Sequence, residues 1–161
     1  MSTFSFNQIG TIRSPYRDTA GMPIQPPGAK GTEGTVELLP EYEEGMKDLD
    51  GFSHIILLYV FHRTGGYSPI VTPFLDSQPR GLFSTRAPKR PNPIGISIVK
   101  LNRIDGTTLH VENIDVLDGT PLLDVKPYVP EFDHPPGRIR TGWLEQAKER
   151  AEGKKADGRF E

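Results

Sequence analysis

The sequence predicts a mainly β protein: a small antiparallel or mixed β-barrel with a few short helices and a C-terminal helix. Three observations carry this expectation. Short apolar, β-branched runs are punctuated by 17 glycines and 16 prolines in 161 residues, the pattern of strands closed by turns. Asp105-Gly106 and Asp118-Gly119 fall between such runs, and an Asp-Gly pair readily supplies the positive φ of a tight connection. The strand-helix alternation of a doubly wound nucleotide-binding sheet is missing, and no G-x-G loop follows a strand.

In chain order, Phe4 to Ile12 is the first expected strand and Gly34 to Leu39 the second. His54 to His62, H-I-I-L-L-Y-V-F-H, is continuously apolar between its histidines and reads as a central strand covered on both faces. Leu82 to Thr85, Ile94 to Ile104, Leu109 to Ile114 and Leu122 to Val125 complete the set, with the two Asp-Gly pairs as hairpin-type turns. Helix is scarce. Glu41 to Lys47 suits a turn or two after Pro40, and Trp143 to Glu152 sets Trp143, Leu144, Ala147 and Ala151 on one stripe before Gly153. The organisation expected is a barrel domain over residues 1–137, then a helix and polar tail over 138–161.

Length and an ordinary hydrophobic content of 35% fit one soluble globular domain. No run approaches the roughly 18 apolar residues of a membrane span, and no basic-then-apolar signal opens the chain, so the cytoplasm is the expected location. The absence of cysteine excludes disulfides, thiolate zinc sites and cysteine nucleophiles. His54, His62, His110 and His134 are scattered, and no metal site is expected.

The most informative stretch is Arg86 to Gly95, R-A-P-K-R-P-N-P-I-G. Pro88, Pro91 and Pro93 fix φ and remove backbone donors, which stiffens the segment and keeps it out of a sheet interior. Arg86, Lys89 and Arg90 then stand on a preorganised loop, suited to a carboxylate-bearing or polyanionic ligand because little entropy is lost on binding. A solvated proline-rich surface turn is the plain alternative. The wider charge pattern favours a ligand. No acid lies between Ser77 and Ile104, whereas Glu33 to Asp50 holds seven acids and one lysine, so a chain of net charge −2 contains a local positive region.

Four other places could carry chemistry. At Phe61-His62-Arg63-Thr64-Gly65-Gly66 an apolar strand ends in a histidine and an arginine beside glycines; a rim histidine is the plain alternative. The strand Ile9 to Ile12 runs into a loop containing Gln25-Pro26-Pro27-Gly28. Asp118-Gly119-Thr120-Pro121 is either a turn or a set of backbone and hydroxyl groups offered to a ligand. Alternation aims Asp124, Lys126 and Tyr128 at one face of an extended segment, as a substrate clamp or as a solvated edge with a salt bridge.

Taken together, I-G-T-I-R-S-P-Y from Ile9, G-F-S-H-I-I-L-L-Y-V-F-H-R from Gly51, R-A-P-K-R-P-N-P-I-G-I-S from Arg86 and D-V-L-D-G-T-P-L-L-D-V-K-P-Y from Asp115 resemble the TsaA-like (TrmO) family. The resemblance spans about residues 6–130. It implies a β-barrel methyltransferase that uses S-adenosylmethionine without a Rossmann-like sheet and acts as a homodimer. The implied substrate is tRNA, methylated on the exocyclic N6 of threonylcarbamoyl-adenosine beside the anticodon. Carried over by motif, cofactor contacts fall at Gln25, Pro26 and Pro27 or Gly28, at His62 and Arg63, at Arg86 and Ile96, and at Asp118, Gly119, Thr120 and Pro121. Candidate substrate contacts are Arg90, Asn92, Lys126 and Tyr128.

Those residue types suit the implied cofactor. Arg63 and Arg86 match its carboxylate, Ile96 and the prolines an apolar wall, and the turn from Asp118 to Thr120 a polar clamp. Arg90 or Lys126 would stabilise charge developing on the attacking nitrogen. Asp124, Asp118 and His62 are the candidate proton acceptors, with loss of the proton to water as the alternative. Better-known bacterial members carry a further C-terminal portion, so the chain reads as a short form. A methyltransferase for a small anionic metabolite, or a non-catalytic cofactor- or RNA-binding module, are the competing readings.

Overall fold

The structure is a computed structural model and describes residues 1–20, 22, 23 and 26–147. In chain order its strands are β1 (Gly10–Arg13), β2 (Glu33–Leu38), β3 (His54–Val60), β4 (Ile70–Val71), β5 (Arg80–Gly81), β6 (Ile94–Asp105), β7 (Thr108–Glu112) and β8 (Thr120–Pro127). Six of them close a barrel in the order β1-β2-β7-β6-β3-β8, and β4 pairs with β5 in a separate ribbon. Every pairing is antiparallel.

Alternation explains why these residues form a closed sheet. β6 turns Gly95, Ser97, Val99 and Leu101 inward and Ile94, Ile96, Ile98 and Lys100 outward. β3 does the same with Ile55, Leu57 and Tyr59 inward. These meet Ile12, Val36, Leu109, Val111, Ile114 and Leu122 in one core. Sequestering a leucine or isoleucine of this kind contributes about 1.5–3 kcal/mol.

Several elements differ from expectation. The first strand is confined to Gly10–Arg13; Phe4 and Phe6 are 79% and 71% exposed and have no ladder partner among the described residues. β3 is central, between β6 and β8, but only one face is sealed, because its outward residues are half-buried. The expected strand at Leu82 to Thr85 is a 3-10 turn over Leu82–Ser84 that buries Leu82 against Val71 and Ala87. Asp105-Gly106 makes the β6–β7 hairpin, with Gly106 at φ 56°. Asp118-Gly119 is a tight turn with Gly119 at φ 78° but not a hairpin, since β8 pairs with β1 and β3 and not with β7. The turn expected over Glu41 to Lys47 is a 3-10 helix over Pro40–Met46, with Lys47 as its C-cap. In the expected C-terminal helix, a 3-10 turn over Gly142–Gln146 is seen, and residues 148–161 lie outside the described residues. The Trp143 indole N–H donates to the Ser84 carbonyl at 2.9 Å, and Arg80 stacks on its ring at 5.6 Å.

Antiparallel closure sorts the connections onto two ends. One end carries residues 14–32, 61–93 and 113–119. The other carries 39–53, the Asp105-Gly106 hairpin and the chain leaving β8.

Candidate active site

Most of the candidate residues stand at the end with the long connections, contributed by segments far apart in sequence. β3 delivers His62 and Arg63, β8 begins at Thr120, and β6 begins just after the proline loop, whose Pro93 carbonyl accepts the Phe61 N–H at 2.8 Å. Pro26 and Pro27 lie in a 3-10 turn over Pro26–Ala29 in the β1–β2 connection; Gln25 lies outside the described residues.

Hydrogen bonds lock these connections together. Thr120 Oγ1 donates to the Leu117 carbonyl at 2.7 Å, so its 3.4 Å contact with His62 has the Nδ1–H donating. Asp118 accepts the Ser14 N–H at 3.1 Å on one oxygen and pairs with Arg17 on the other. Arg63 in turn donates to the Arg17 carbonyl at 2.9 Å. A shallow groove of about 500 Å³ beside this knot is lined by Arg13, Ser14, Pro15, Arg17, Glu33, Gly34, Thr35 and Asp118.

The cations of the proline loop divide by environment. Arg90 donates to the carbonyls of Thr85 at 2.9 Å and Ala87 at 3.2 Å and sits 5.8 Å from the Phe83 ring, so it braces its own loop. Arg86 is exposed and, among the described residues, makes no ion pair, which leaves its guanidinium available to an anion. Asn92 is exposed on the same loop.

Three candidates are set apart. Ile96 is 44% exposed on the outer face of β6, opposite Leu58. Lys126 lies toward the far end of β8, opposite Ile56, and pairs with Asp124 at 2.7 Å. The Tyr128 N–H donates to the His54 carbonyl at the start of β3, again away from Thr120. Lys126 stands six positions along β8 from Thr120, about 20 Å along the barrel wall.

Sequence reasoning missed a polar chain beneath the proline loop. The Tyr59 hydroxyl contacts Ser97 Oγ at 2.9 Å, and Ser97 donates to Asp115 Oδ1 at 2.6 Å. With the Ser97 proton committed to the carboxylate, Tyr59 is the donor to Ser97. Gly95 makes this possible: a Cβ there would lie 2.2 Å from Tyr59 Cε2, so only glycine lets the ring lie over β6. Burial pushes the Asp115 carboxyl up to about 6, against smaller lowering influences from Ser97, its own N–H and Arg86. Burial, followed by the field of Asp115, likewise raises the Tyr59 phenol. Arg86 therefore acts electrostatically on both. The available signal was an acid set in the apolar run Ile114-Asp115-Val116-Leu117, a setting that demands a partner.

The sequence profile of the tRNA-methyltransferase O N-terminal domain matches residues 11–134, which takes in all of the barrel but Gly10. The chain belongs to the tRNA-methyltransferase O family. Among its relatives in this family, a probable S-adenosyl-L-methionine-binding protein of Pyrococcus abyssi is 50% identical over 155 residues, covering 96% of this chain and 84% of that one. The tRNA (adenine(37)-N6)-methyltransferase of Escherichia coli is 43% identical over 140 residues, covering 81% of this chain and 60% of that protein. The crystal structure of TrmO from Pseudomonas aeruginosa superposes with a TM-score of 0.73 at 39% identity, over 88% of this chain and 63% of that one. The chain thus spans most of the archaeal relative and less than two thirds of the two bacterial ones. Its closed antiparallel barrel is the fold of that crystal structure.

The donor set at the loop-bearing end fits S-adenosylmethionine. An unpaired guanidinium suits its carboxylate, and the Gly119 turn with the His62–Thr120 pair offers polar groups for its ribose or base. Among the described residues no cluster of histidines and carboxylates could hold a metal ion, and no helix is long and apolar enough to cross a membrane.

Proposed function

We propose that this chain is an S-adenosylmethionine-dependent tRNA methyltransferase acting on the exocyclic N6 of an adenosine beside the anticodon, with threonylcarbamoyl-adenosine as the preferred form. The observation that carries this reading is family membership across the barrel together with 43% identity to a tRNA (adenine(37)-N6)-methyltransferase. Arg86, His62, Arg63 and the turn from Asp118 to Pro121 hold the cofactor in this reading, with Pro26 and Pro27 approaching from the β1–β2 connection. The bound cofactor supplies an activated methyl group; the protein supplies binding, orientation and a water-poor setting. Arg90 and Asn92 of the proline loop lie toward the RNA in this reading, and a tRNA substrate suits a cytoplasmic protein.

A homodimer belongs to the same reading. β6 turns Ile94, Ile96 and Ile98 outward at 41%, 44% and 40% exposure, beside the half-buried Ile56, Leu58 and Val60 of β3. A second copy seated on this strip would cover it and bring Ile96, Lys126 and Tyr128 of one subunit toward the other. Residues 1–137 form the barrel unit in this reading and 138–161 an appended segment, whose Trp143 bonds to Ser84.

Incubation with methyl-labelled S-adenosylmethionine and tRNA that contains or lacks the threonylcarbamoyl group tests the proposal. Label is expected in the modified tRNA, on N6. Cofactor binding without transfer to either tRNA contradicts it, favouring a small-metabolite enzyme if a metabolite extract becomes labelled and a binding module if nothing does.

A further inference from the structure

We propose that Asp115 is the proton acceptor of the methyl transfer, its carboxylate receiving the N–H proton of the attacking exocyclic nitrogen while Ser97 and Tyr59 hold it in place. The assignment rests on the methyltransferase reading above. Geometry removes two of the acids the sequence put forward. Asp118 commits both oxygens, one to the Ser14 N–H and one to Arg17. Asp124 commits one oxygen to the Val125 N–H at 2.9 Å and the other to Lys126, well away from His62 and Thr120. Asp115 differs. It receives the Ser97 hydroxyl on Oδ1 and, besides that, its own backbone N–H, makes no ion pair among the described residues, and keeps partial contact with solvent.

Its surroundings suit the role. Among the described residues the groups that bear on it are Tyr59 from β3, kept neutral by burial, Ser97 from β6, and the Arg86 cation from the proline loop. Arg86 is also the guanidinium left free for the cofactor carboxylate, which places proton acceptor and cofactor contact under the same loop. A carboxyl raised to about 6 is ionised at neutral pH and takes a proton more readily than an ordinary carboxylate.

The step balances. The new nitrogen–carbon bond forms as the methyl–sulfur bond breaks, and that bond's electron pair stays on sulfur as a neutral thioether. The nitrogen keeps the pair of its N–H bond. The proton passes to Asp115, which releases it to water. Positive charge on sulfur and negative charge on the carboxylate disappear together.

The test is single-turnover transfer from labelled S-adenosylmethionine to tRNA as a function of pH, for wild type, Asp115→Asn and Ser97→Ala. Calorimetric cofactor affinity, the thermal midpoint and a carbon NMR titration of Asp115 in the cofactor-free protein accompany it. For wild type the rate should fall about tenfold per pH unit below an inflection near the carboxyl's own midpoint. Asp115→Asn should slow transfer by about 10²–10⁴-fold, abolish the inflection and leave cofactor affinity and thermal midpoint essentially intact. Ser97→Ala removes a hydrogen bond that lowers the carboxyl, so its inflection should move to higher pH.

The proposal is overturned by an Asp115→Asn enzyme within a few-fold of wild type, by slowing that only tracks weakened cofactor binding with the inflection kept, or by an NMR midpoint in the ordinary aspartate range. A wild type that labels no tRNA would overturn the functional reading and this step with it. An active wild type beside an active Asp115→Asn variant would overturn the proton acceptor alone.

Discussion

The two ends of the barrel are built from the same six strands and could hardly be more different. At one, β6 and β7 are joined by Asp105-Gly106, a turn held by backbone geometry. At the other, residues 61–93 leave β3, form their own ribbon and small apolar cluster, and return through the proline loop to β6. There the hydrogen bonds of Ser14 to Asp118 and Val116, of Arg63 to Arg17 and of His62 to Thr120 tie three connections into one polar assembly. A barrel needs only short turns to close. The long connection 39–53 at the hairpin end is acidic, whereas the proline-stiffened, cationic connection stands at the other, so stability and function should separate by end.

The largest effect should come from Arg86→Ala. If the guanidinium makes a charged hydrogen bond to the cofactor carboxylate, its removal should weaken binding by about 1.5–3 kcal/mol with little change in stability; unchanged calorimetric affinity would break the assignment. Two glycine replacements compare the ends directly. Gly95→Ala drives a methyl into the Tyr59 ring and should lose about 1–3 kcal/mol of stability together with methyl transfer. Gly106→Ala strains only a left-handed turn and should lose about 1 kcal/mol with cofactor affinity retained. Equal damage to affinity from both, followed by denaturant unfolding and calorimetry, would erase the distinction. The smallest effect belongs to Lys126→Ala: its exposed pair with Asp124 should contribute no more than about 1 kcal/mol to stability, and cofactor affinity should not move.

The barrel was largely legible in the sequence because alternation is a local signal. β2, β6, β7 and β8 fall within a few residues of the runs that predict them. Where apolarity misled, pairing was the missing information. Phe4 and Phe6 are apolar without a strand to bond, and Leu82-Phe83 alternates inside and outside as a 3-10 turn does as well as a strand. Asp118-Gly119 has the turn chemistry of a hairpin, yet the strand that follows finds its partners in β1 and β3. Motif reading reached His62 and Thr120, which the fold brings into contact, and Arg86, which it leaves exposed. Asp115 was passed over because nothing local shows that Ser97 and Tyr59 converge on it; only closure of the sheet brings β3, β6 and the β7–β8 connection together.

The most direct test is a crystal structure of the protein with S-adenosylmethionine. The donor should lie at the end that carries the long connections, its carboxylate within hydrogen-bond reach of Arg86 and its polar groups against the Gly119 turn. A donor seated by the Asp105-Gly106 hairpin, or one that leaves Arg86 free, would contradict this account.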